Sequence, residues 1–200
     1  MSRGEQLERL REQAAVCTDC ALSQTRTHVV FGEGDPESVL MLVGEGPGQW
    51  EDRSGRPFVG RAGRLLDDVL REQGLERSTI YLTNIVKCRP TVEQFGRIKN
   101  RPPRVGEVRA CRKWLDAQIA IIRPRVLVCI GGPSASLLIH KGFKMTQEHG
   151  VWFQTECAPY MMAVLHPAYV LRQEGAAFTE ARNQLGADIA EVKRKIEAKA

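Results

Sequence analysis

The segment VLMLVGEGPG, residues 39–48, combines a short apolar run with a glycine-rich turn. A run of this length that ends at glycines is typical of a buried β-strand, which we expect over residues 39–45. Similar runs predict further strands at 79–86, 126–130 and 160–165. Helical segments lie between these runs. Strands that alternate with helices indicate an α/β fold, in which helices cover both faces of a parallel sheet.

The helical segments are recognised by apolar residues spaced three to four apart. The clearest one spans residues 61–73 and is followed by Gly74, a residue favoured just beyond a helix C-terminus. Other helices are expected at 3–15 and 105–122, from Pro133 onwards, and at the C-terminus over about 176–197. Residues 89–104 are rich in proline and basic residues and are expected to form a loop. The chain length of 200 suits one domain that spans residues 1–200.

The composition restricts the class of protein. Hydrophobic residues make up 42% and charged residues 26% of the chain, as in water-soluble globular proteins. No apolar run is long enough to cross a membrane. The charged N-terminus, MSRGEQLERLREQ, lacks the apolar core of a secretory signal. We therefore expect no membrane partner and a cytoplasmic location, associated with the nucleoid if the protein acts on DNA.

The net charge of +5 is modest, but part of it is concentrated in and just before the expected loop. The cations there are Lys87, Arg89, Arg97, Lys99, Arg101 and Arg104. A basic, proline-containing loop is most often an ordinary solvated loop. The same pattern is also typical of a surface that follows nucleic-acid phosphates, and both interpretations stay open at this point.

Six cysteines in a chain expected in the cytoplasm favour metal binding or buried thiols over disulfides. Cys17 and Cys20 form a Cys-x-x-Cys motif, which puts two thiolates on one turn. Cys88 and Cys111 lie further along the chain, with 22 residues between them. Four thiolates suit either a [4Fe–4S] cluster or a structural zinc ion. The other two cysteines lie in an expected strand and an expected loop and are not assigned to a metal.

Polar or flexible residues stand where the expected strands end. They are Glu45, Asn84, Gly131 and His166. In open α/β sheets, ligands bind beyond the carboxyl ends of the strands, so this placement is the strongest indication of a site from the residues alone. A lone histidine is more often structural than catalytic. At such a strand end, the structural and catalytic interpretations of His166 have about equal weight.

Two motifs that follow the first strand would lie beside this edge. GEGPGQWED, residues 44–52, has glycines that let the backbone approach a ligand, and it carries Glu45 and Glu51. The alternative interpretation is a tight turn in which both glutamates are solvated and have no function. GRPFVG, residues 55–60, places Phe58 between glycines in a loop. An aromatic ring there belongs either to the core or to a platform on which a nucleobase stacks.

Taken together, these motifs resemble those of the family 4 uracil-DNA glycosylases. The family pattern corresponds here to GEGPGQWEDRSGRPFVGRAG (44–63), TNIVKCRP (83–90), NRPP (100–103) and HPAYVLR (166–172). The resemblance covers about residues 14–175. It implies a monomeric base-excision-repair hydrolase that flips uracil out of single- or double-stranded DNA and cuts its glycosidic bond. It also implies a three-layer α/β/α fold with a central four-stranded parallel sheet.

The resemblance assigns a role to each site residue, and it favours a [4Fe–4S] cluster over zinc. The cluster ligands would be Cys17, Cys20, Cys88 and Cys111. Phe58 would stack on the flipped uracil, Asn84 would read its O4 and N3 edge, and His166 would donate to O2 as negative charge develops. Glu45 and Glu51 would position the water or support the sugar cation, or Glu51 would instead crowd uracil C5 and exclude the methyl group of thymine; the motifs do not divide these roles. Three further residues would line the pocket or fill the gap left by the base: Gly46, Leu171 and Arg172.

The chain departs from the family pattern in one place, because TVEQFGRIK, residues 91–99, is inserted before NRPP. A longer loop of this kind resembles that of a sister group that becomes covalently trapped on uracil-DNA through a histidine. Asn100 holds the place of that histidine, and an amide is not a comparable nucleophile, so we expect hydrolysis. The alternatives are a crosslinking uracil-DNA-binding protein, a non-catalytic iron–sulfur or zinc protein that binds DNA, and an electron-transfer iron–sulfur protein.

Overall fold

The computed structural model of this protein describes residues 1–198. Its strands are β1 (Glu33–Gly34), β2 (Leu40–Gly44), β3 (Tyr81–Asn84), β4 (Thr91–Gln94), β5 (Arg97–Asn100), β6 (Val126–Ile130), β7 (Trp152–Phe153) and β8 (Tyr160–Val164). The central sheet has the order β1-β3-β2-β6-β8-β7. Its four inner strands are parallel, which confirms the predicted four-stranded parallel sheet. The short edge strands β1 and β7, which the sequence did not indicate, pair antiparallel with β3 and β8.

Helices cover both faces of this sheet. They are α1 (Arg3–Ala15), α2 (Gln49–Ser54), α3 (Arg61–Glu72), α4 (Val105–Ile122), α5 (Gly132–Leu138), α6 (Met145–Glu148), α7 (Pro167–Val170) and α8 (Gly175–Glu197). Successive side chains of a strand point to opposite faces. Leu40 and Leu42 therefore pack with α3 and α8, whereas Met41 and Val43 pack with α1, α4 and α5. The three-layer α/β/α fold is confirmed. None of the described helices is both long and apolar enough to cross a membrane.

The strands that lead to the site are shorter than predicted. β2 stops at Gly44, and β3 covers four residues of the predicted 79–86 segment. Beyond the ends of these strands the two segments still run side by side, because the N–H of Val86 donates to the carbonyl oxygen of Glu45 at 3.2 Å. Glu45 is therefore held at the sheet edge although it is not part of the strand.

The prediction of a loop over residues 89–104 is wrong for its central part. β4 and β5 form an antiparallel hairpin outside the main sheet, and Phe95 and Gly96 form its two-residue turn. A glycine in a two-residue turn between alternating sequences is a hairpin signal. Here the flanking prolines and basic residues obscured that signal.

Candidate active site

The inner strands end along one edge of the sheet, where a cavity of about 420 Å³ opens. Glu45 follows β2, Asn84 is the last residue of β3, and His166 lies two residues beyond β8. All three line the cavity, together with Glu51 and Phe58 from the segment after β2. The structure thus brings together five side chains that the sequence analysis singled out.

Two glycines make room for Phe58, Gly44 for its ring and Gly63 for its backbone. A Cβ on Gly44 would lie 2.6 Å from Cζ of Phe58 and 2.5 Å from Oδ1 of Asn84. A Cβ on Gly63 would lie 1.8 Å from the carbonyl oxygen of Phe58. Phe58 has a φ of 54°, which is uncommon for a residue with a side chain, and Arg77 donates to its carbonyl oxygen at 3.3 Å. The surrounding packing therefore holds this ring in a backbone conformation that phenylalanine itself disfavours.

Asn84 is buried, yet its side-chain amide lines the cavity and forms no hydrogen bond with any residue in the described part of the chain. Its backbone carbonyl oxygen accepts from Nζ of Lys87 at 2.8 Å. The same Nζ donates to Oγ1 of Thr83 and Oε1 of Gln118, each at 2.6 Å. Burial lowers the pKa of Lys87 to about 7. Because Lys87 is only 1% exposed, its assignment to the phosphate-binding surface is wrong.

His166 caps the N-terminus of α7, and its ring lines the cavity. Nδ1 accepts from the N–H of Ala168 at 3.0 Å, which leaves Nε2 as the protonated nitrogen of a neutral ring. Burial and the nearby Arg172 lower the pKa of His166 to about 4, against the opposing effect of Glu51. Near neutral pH the site therefore holds an uncharged imidazole with an N–H available for a ligand.

The two glutamates of the cavity differ in their surroundings. Oε1 of Glu51 accepts from the backbone N–H groups of Val59 at 3.0 Å and Gly60 at 2.8 Å. The carboxylate of Glu45 accepts no hydrogen bond from the residues described, and burial raises its pKa. Glu51 is thus attached to the loop that carries Phe58, whereas Glu45 is free to act on a ligand.

The residues predicted to surround the flipped base lie at the walls and mouth of the site. Gly46 lines the cavity, and a Cβ there would lie 2.7 Å from Cγ2 of Val86. Arg172 is exposed and lines a second cavity of about 380 Å³, which shares a wall with the first at His166. Leu171 is partly buried against the core. Arg172 therefore lies near the opening of the site, and Leu171 is less free than a surface leucine.

The basic residues near the cavity do not all face solvent. Arg101 forms a salt bridge with the buried carboxylate of Glu107 at 2.6 Å, so its charge is compensated within the protein. Nε of Arg89 donates to Oδ1 of Asn100 at 2.7 Å, and Asn100 lines the cavity. With Lys87 buried and Arg101 paired, the cations left for a phosphate surface are Arg89, Arg97, Lys99 and Arg104.

The four predicted metal ligands line one small cavity: Cys17, Cys20, Cys88 and Cys111. None of them forms a disulfide. Nη1 of Arg26 donates to Sγ of Cys88 at 3.4 Å, and the N–H of Lys87 donates to Sγ of Cys111 at 3.2 Å. Within residues 1–198, no three His, Cys, Asp or Glu side chains converge closely enough to hold a single metal ion. The four thiols surround a space instead, and N–H donors to sulfur are typical of iron–sulfur sites, so the residues fit a cluster.

Comparison with known proteins identifies the family of this fold and site. A family model described as the uracil DNA glycosylase superfamily matches residues 31–189. The chain belongs to this superfamily. The type-4 uracil-DNA glycosylase of Thermotoga maritima is 41% identical over 172 residues, which cover 86% of each chain. That of Sulfurisphaera tokodaii is 41% identical over 84% of this chain and 76% of the relative. The type-5 uracil-DNA glycosylase of Thermus thermophilus is 31% identical over 73% of this chain and 72% of the relative. The resemblance to family 4 is confirmed.

The segment matched to the uracil DNA glycosylase superfamily contains every residue named above that lines the cavity at the sheet edge. It also contains Cys88 and Cys111 but begins after Cys17 and Cys20. The N-terminal half of the cysteine set therefore lies outside the matched segment.

Sequence reasoning missed two residues that support the site of this superfamily member. Lys87 follows Ile85 and Val86, and these apolar neighbours were a signal that the lysine lies in a buried segment. Arg26 carried no local signal, because its partners include the distant Cys88. Contacts of that kind become visible only when the fold brings separate segments together.

Proposed function

We propose that this protein is a uracil-DNA glycosylase, which hydrolyses the bond between uracil N1 and deoxyribose C1′ and leaves an abasic site. The observation that carries the proposal is the convergence of the Asn84 amide and the Phe58 ring beside Gly44. A base held there has an aromatic face against one side and a hydrogen-bonding amide at its edge. A nucleotide reaches such a cavity from single-stranded DNA, or from a duplex after rotation out of the stack.

With its oxygen towards N3–H, the amide of Asn84 distinguishes uracil from cytosine. Its NH₂ group can donate to uracil O4, and its oxygen can accept from uracil N3–H. Cytosine presents the reverse pattern, an amino group at position 4 and an acceptor at N3. In this buried site a mismatched pair of donors or acceptors is strongly unfavourable, since neither group can turn to water.

Bond cleavage leaves an electron pair on uracil N1, and the negative charge spreads to O2. The Nε2–H of His166 is proposed to donate to O2, where its effect grows as the charge develops. Water adds to C1′, and Glu45 accepts the water proton, which finally neutralises the uracil anion. The raised pKa of Glu45 supports this role, because a more basic carboxylate is a better proton acceptor. Glu51 is proposed to hold the loop of Phe58 in place.

We further propose that Cys17, Cys20, Cys88 and Cys111 bind a [4Fe–4S] cluster. Hydrolysis of a glycosidic bond transfers no electrons, so the cluster would join segments rather than react. Its ligands come from the N-terminal region, the segment after β3 and helix α4. The segment after β3 also carries Lys87, which contacts Asn84. The cluster would thereby fix one wall of the base site.

Asn100 bears on the crosslinking alternative. It lines the cavity at the position where the trapped relatives would carry their histidine, but its amide accepts a hydrogen bond from Arg89. An amide does not form a stable bond with the sugar carbon, so this residue supports turnover rather than trapping.

Incubation with single- and double-stranded oligonucleotides that contain one uracil, followed by alkali, tests the proposal. Strand cleavage by alkali reports an abasic site, and a denaturation-resistant gel shift would instead report a covalent adduct. We expect cleavage with uracil, none with cytosine or thymine, and loss of activity or of uracil selectivity in Asn84→Asp. Full, strictly uracil-specific activity in that variant would remove Asn84 from base reading.

A further inference from the structure

The hairpin β4–β5 is an arm outside the central sheet, and its outer residues are exposed to solvent. Residues 93–100 are all exposed. The turn places Phe95 and Gly96 between the paired residues Gln94 and Arg97. The φ angles of Phe95 and Gly96 are 52° and 69°. Two positive φ angles in a two-residue turn define the type I′ geometry that Asn-Gly adopts most readily.

Phe95 is unfavourable at this turn for two independent reasons. A φ of 52° brings the Cβ of a phenylalanine into a steric conflict that asparagine tolerates better. The ring is also 100% exposed, so it gains no stabilisation from burial. Nothing within residues 1–198 offsets either effect, which points to a partner that the ring contacts outside the protein.

The arm begins at the rim of the proposed base site. Pro90 and Asn100 line the cavity, and the N–H of Arg101 donates to the carbonyl oxygen of Pro90 at 3.1 Å, which closes the base of the arm. Each strand has four residues, so at about 3.4 Å per residue the tip lies roughly 14 Å from the rim. Successive nucleotides of a stacked strand are about 3.4 Å apart, so contacts at the tip fall roughly four nucleotides from the target and not on the target itself.

The two faces of the arm differ in chemistry. Side chains of directly paired residues share a face, and the faces alternate along each strand. Arg97 and Lys99 thus lie on one face, and neither forms a salt bridge with any residue in the described chain. Ile98, which is 67% exposed, lies on the other face with Asn100 and its direct partner Glu93, so the acidic side chain points away from the two cations. Uncompensated cations on one face and an exposed aromatic ring at the tip match a partner that has both phosphates and base faces.

We propose that the hairpin is a DNA-binding arm. In it Phe95 stacks on a base roughly four nucleotides from the target, while Arg97 and Lys99 bind phosphates of the same strand. The inference rests on the proposed function for the identity of the target. The positive charge of the hairpin and its position at the cavity rim both favour DNA over a protein partner.

The test measures the affinity for single-stranded DNA with a central abasic-site analogue, in a short form of about 4 nucleotides and a long form of about 20. The short form ends before the tip of the arm, where Phe95 lies, and the long form passes it. Wild type should bind the long form more tightly. Phe95→Asn removes the ring and suits the turn, so the fold should not weaken. This variant should lose roughly 5- to 150-fold of the preference for long DNA.

Two controls separate stacking from other effects. Phe95→Trp keeps an aromatic ring and should keep the preference, as should Val151→Asn, which removes an exposed apolar side chain elsewhere. Arg97→Gln combined with Lys99→Gln should make the negative slope of log affinity against log salt shallower by about 0.7 per lost phosphate contact. Phe95→Asn should leave this slope unchanged.

The inference is overturned if Phe95→Asn keeps the wild-type preference for long DNA, or if it weakens both lengths equally. The proposed function fails separately. Wild type would then bind long DNA with a preference that depends on Phe95 and still leave uracil in place.

Discussion

The ammonium nitrogen of Lys87 lies 2.8 Å from the backbone carbonyl oxygen of Asn84. The lysine is fully buried and is also bonded to Thr83 and Gln118. It therefore fixes the end of β3 from behind, where DNA cannot reach, while the Asn84 amide faces the cavity. Lys87 is a positioning residue for the group proposed to read the base.

Lys87→Met is expected to lower both stability and uracil selectivity. Its loss leaves buried acceptors without a donor, which costs about 1–3 kcal/mol, and frees the backbone of Asn84. Gln118→Met is the matched control, because it disturbs the same network without removing a contact to Asn84. Melting temperature and the ratio of cleavage on uracil- and cytosine-containing DNA should be measured for both. A selectivity that stays intact in Lys87→Met would reduce the lysine to a structural role.

His166→Ala should slow single-turnover cleavage by about 100- to 1000-fold, the usual effect of losing one donor to a developing oxyanion. Affinity for abasic DNA should change little, since the product carries no uracil O2. The control is His140→Ala, which removes an exposed histidine that does not line the cavity. A loss of rate below about fivefold in a stably folded His166→Ala protein contradicts the role.

The pH dependence of cleavage should distinguish the two glutamates. Burial raises the pKa of Glu45, so this group takes up a proton at a higher pH than an ordinary glutamate. Only its carboxylate accepts the water proton, and the rate should therefore fall as the pH is lowered through the raised pKa. His166, with a pKa of about 4, stays neutral over that range and adds no second limb.

Glu45→Gln should be slow and should lack this acidic limb. Glu51→Gln should keep it, because the amide oxygen still accepts from the N–H groups of Val59 and Gly60. Rates are compared over the same pH series at constant ionic strength. An acidic limb that persists in Glu45→Gln and disappears in Glu51→Gln would exchange the two roles.

The sequence predicted the sheet because its signals are local. Residues 39–43 are uniformly apolar and are followed by Gly44, so the strand and the position of Glu45 at its end follow from this local run alone. Parallel topology then brings strand ends such as Asn84 and His166 to one edge. That step needs no knowledge of individual contacts, and it placed most of the candidate site correctly.

The sequence could not predict how charges are used. Lys87 and Arg101 look like members of a basic surface, but burial and the partner Glu107 remove them from it. The division between Glu45 and Glu51 depends on backbone N–H groups eight and nine residues after Glu51. Such pairings arise from tertiary geometry, and composition contains no trace of them.

Cys88→Ala tests whether the cysteine cavity stabilises the site. Cys88 is buried, and its sulfur accepts from Arg26, whose guanidinium also donates to the carbonyl oxygen of Cys17 at 2.7 Å. A cluster at this point would join the N-terminal segment to the residues that follow β3. Loss of Cys88 should therefore remove iron and the visible absorbance, lower the melting temperature and reduce DNA affinity together.

Cys157→Ala changes a cysteine outside the set, and it should keep the iron content, absorbance and stability of the wild type. A Cys88→Ala protein that loses all iron yet melts and binds DNA as the wild type does would show that the cluster does not support the fold.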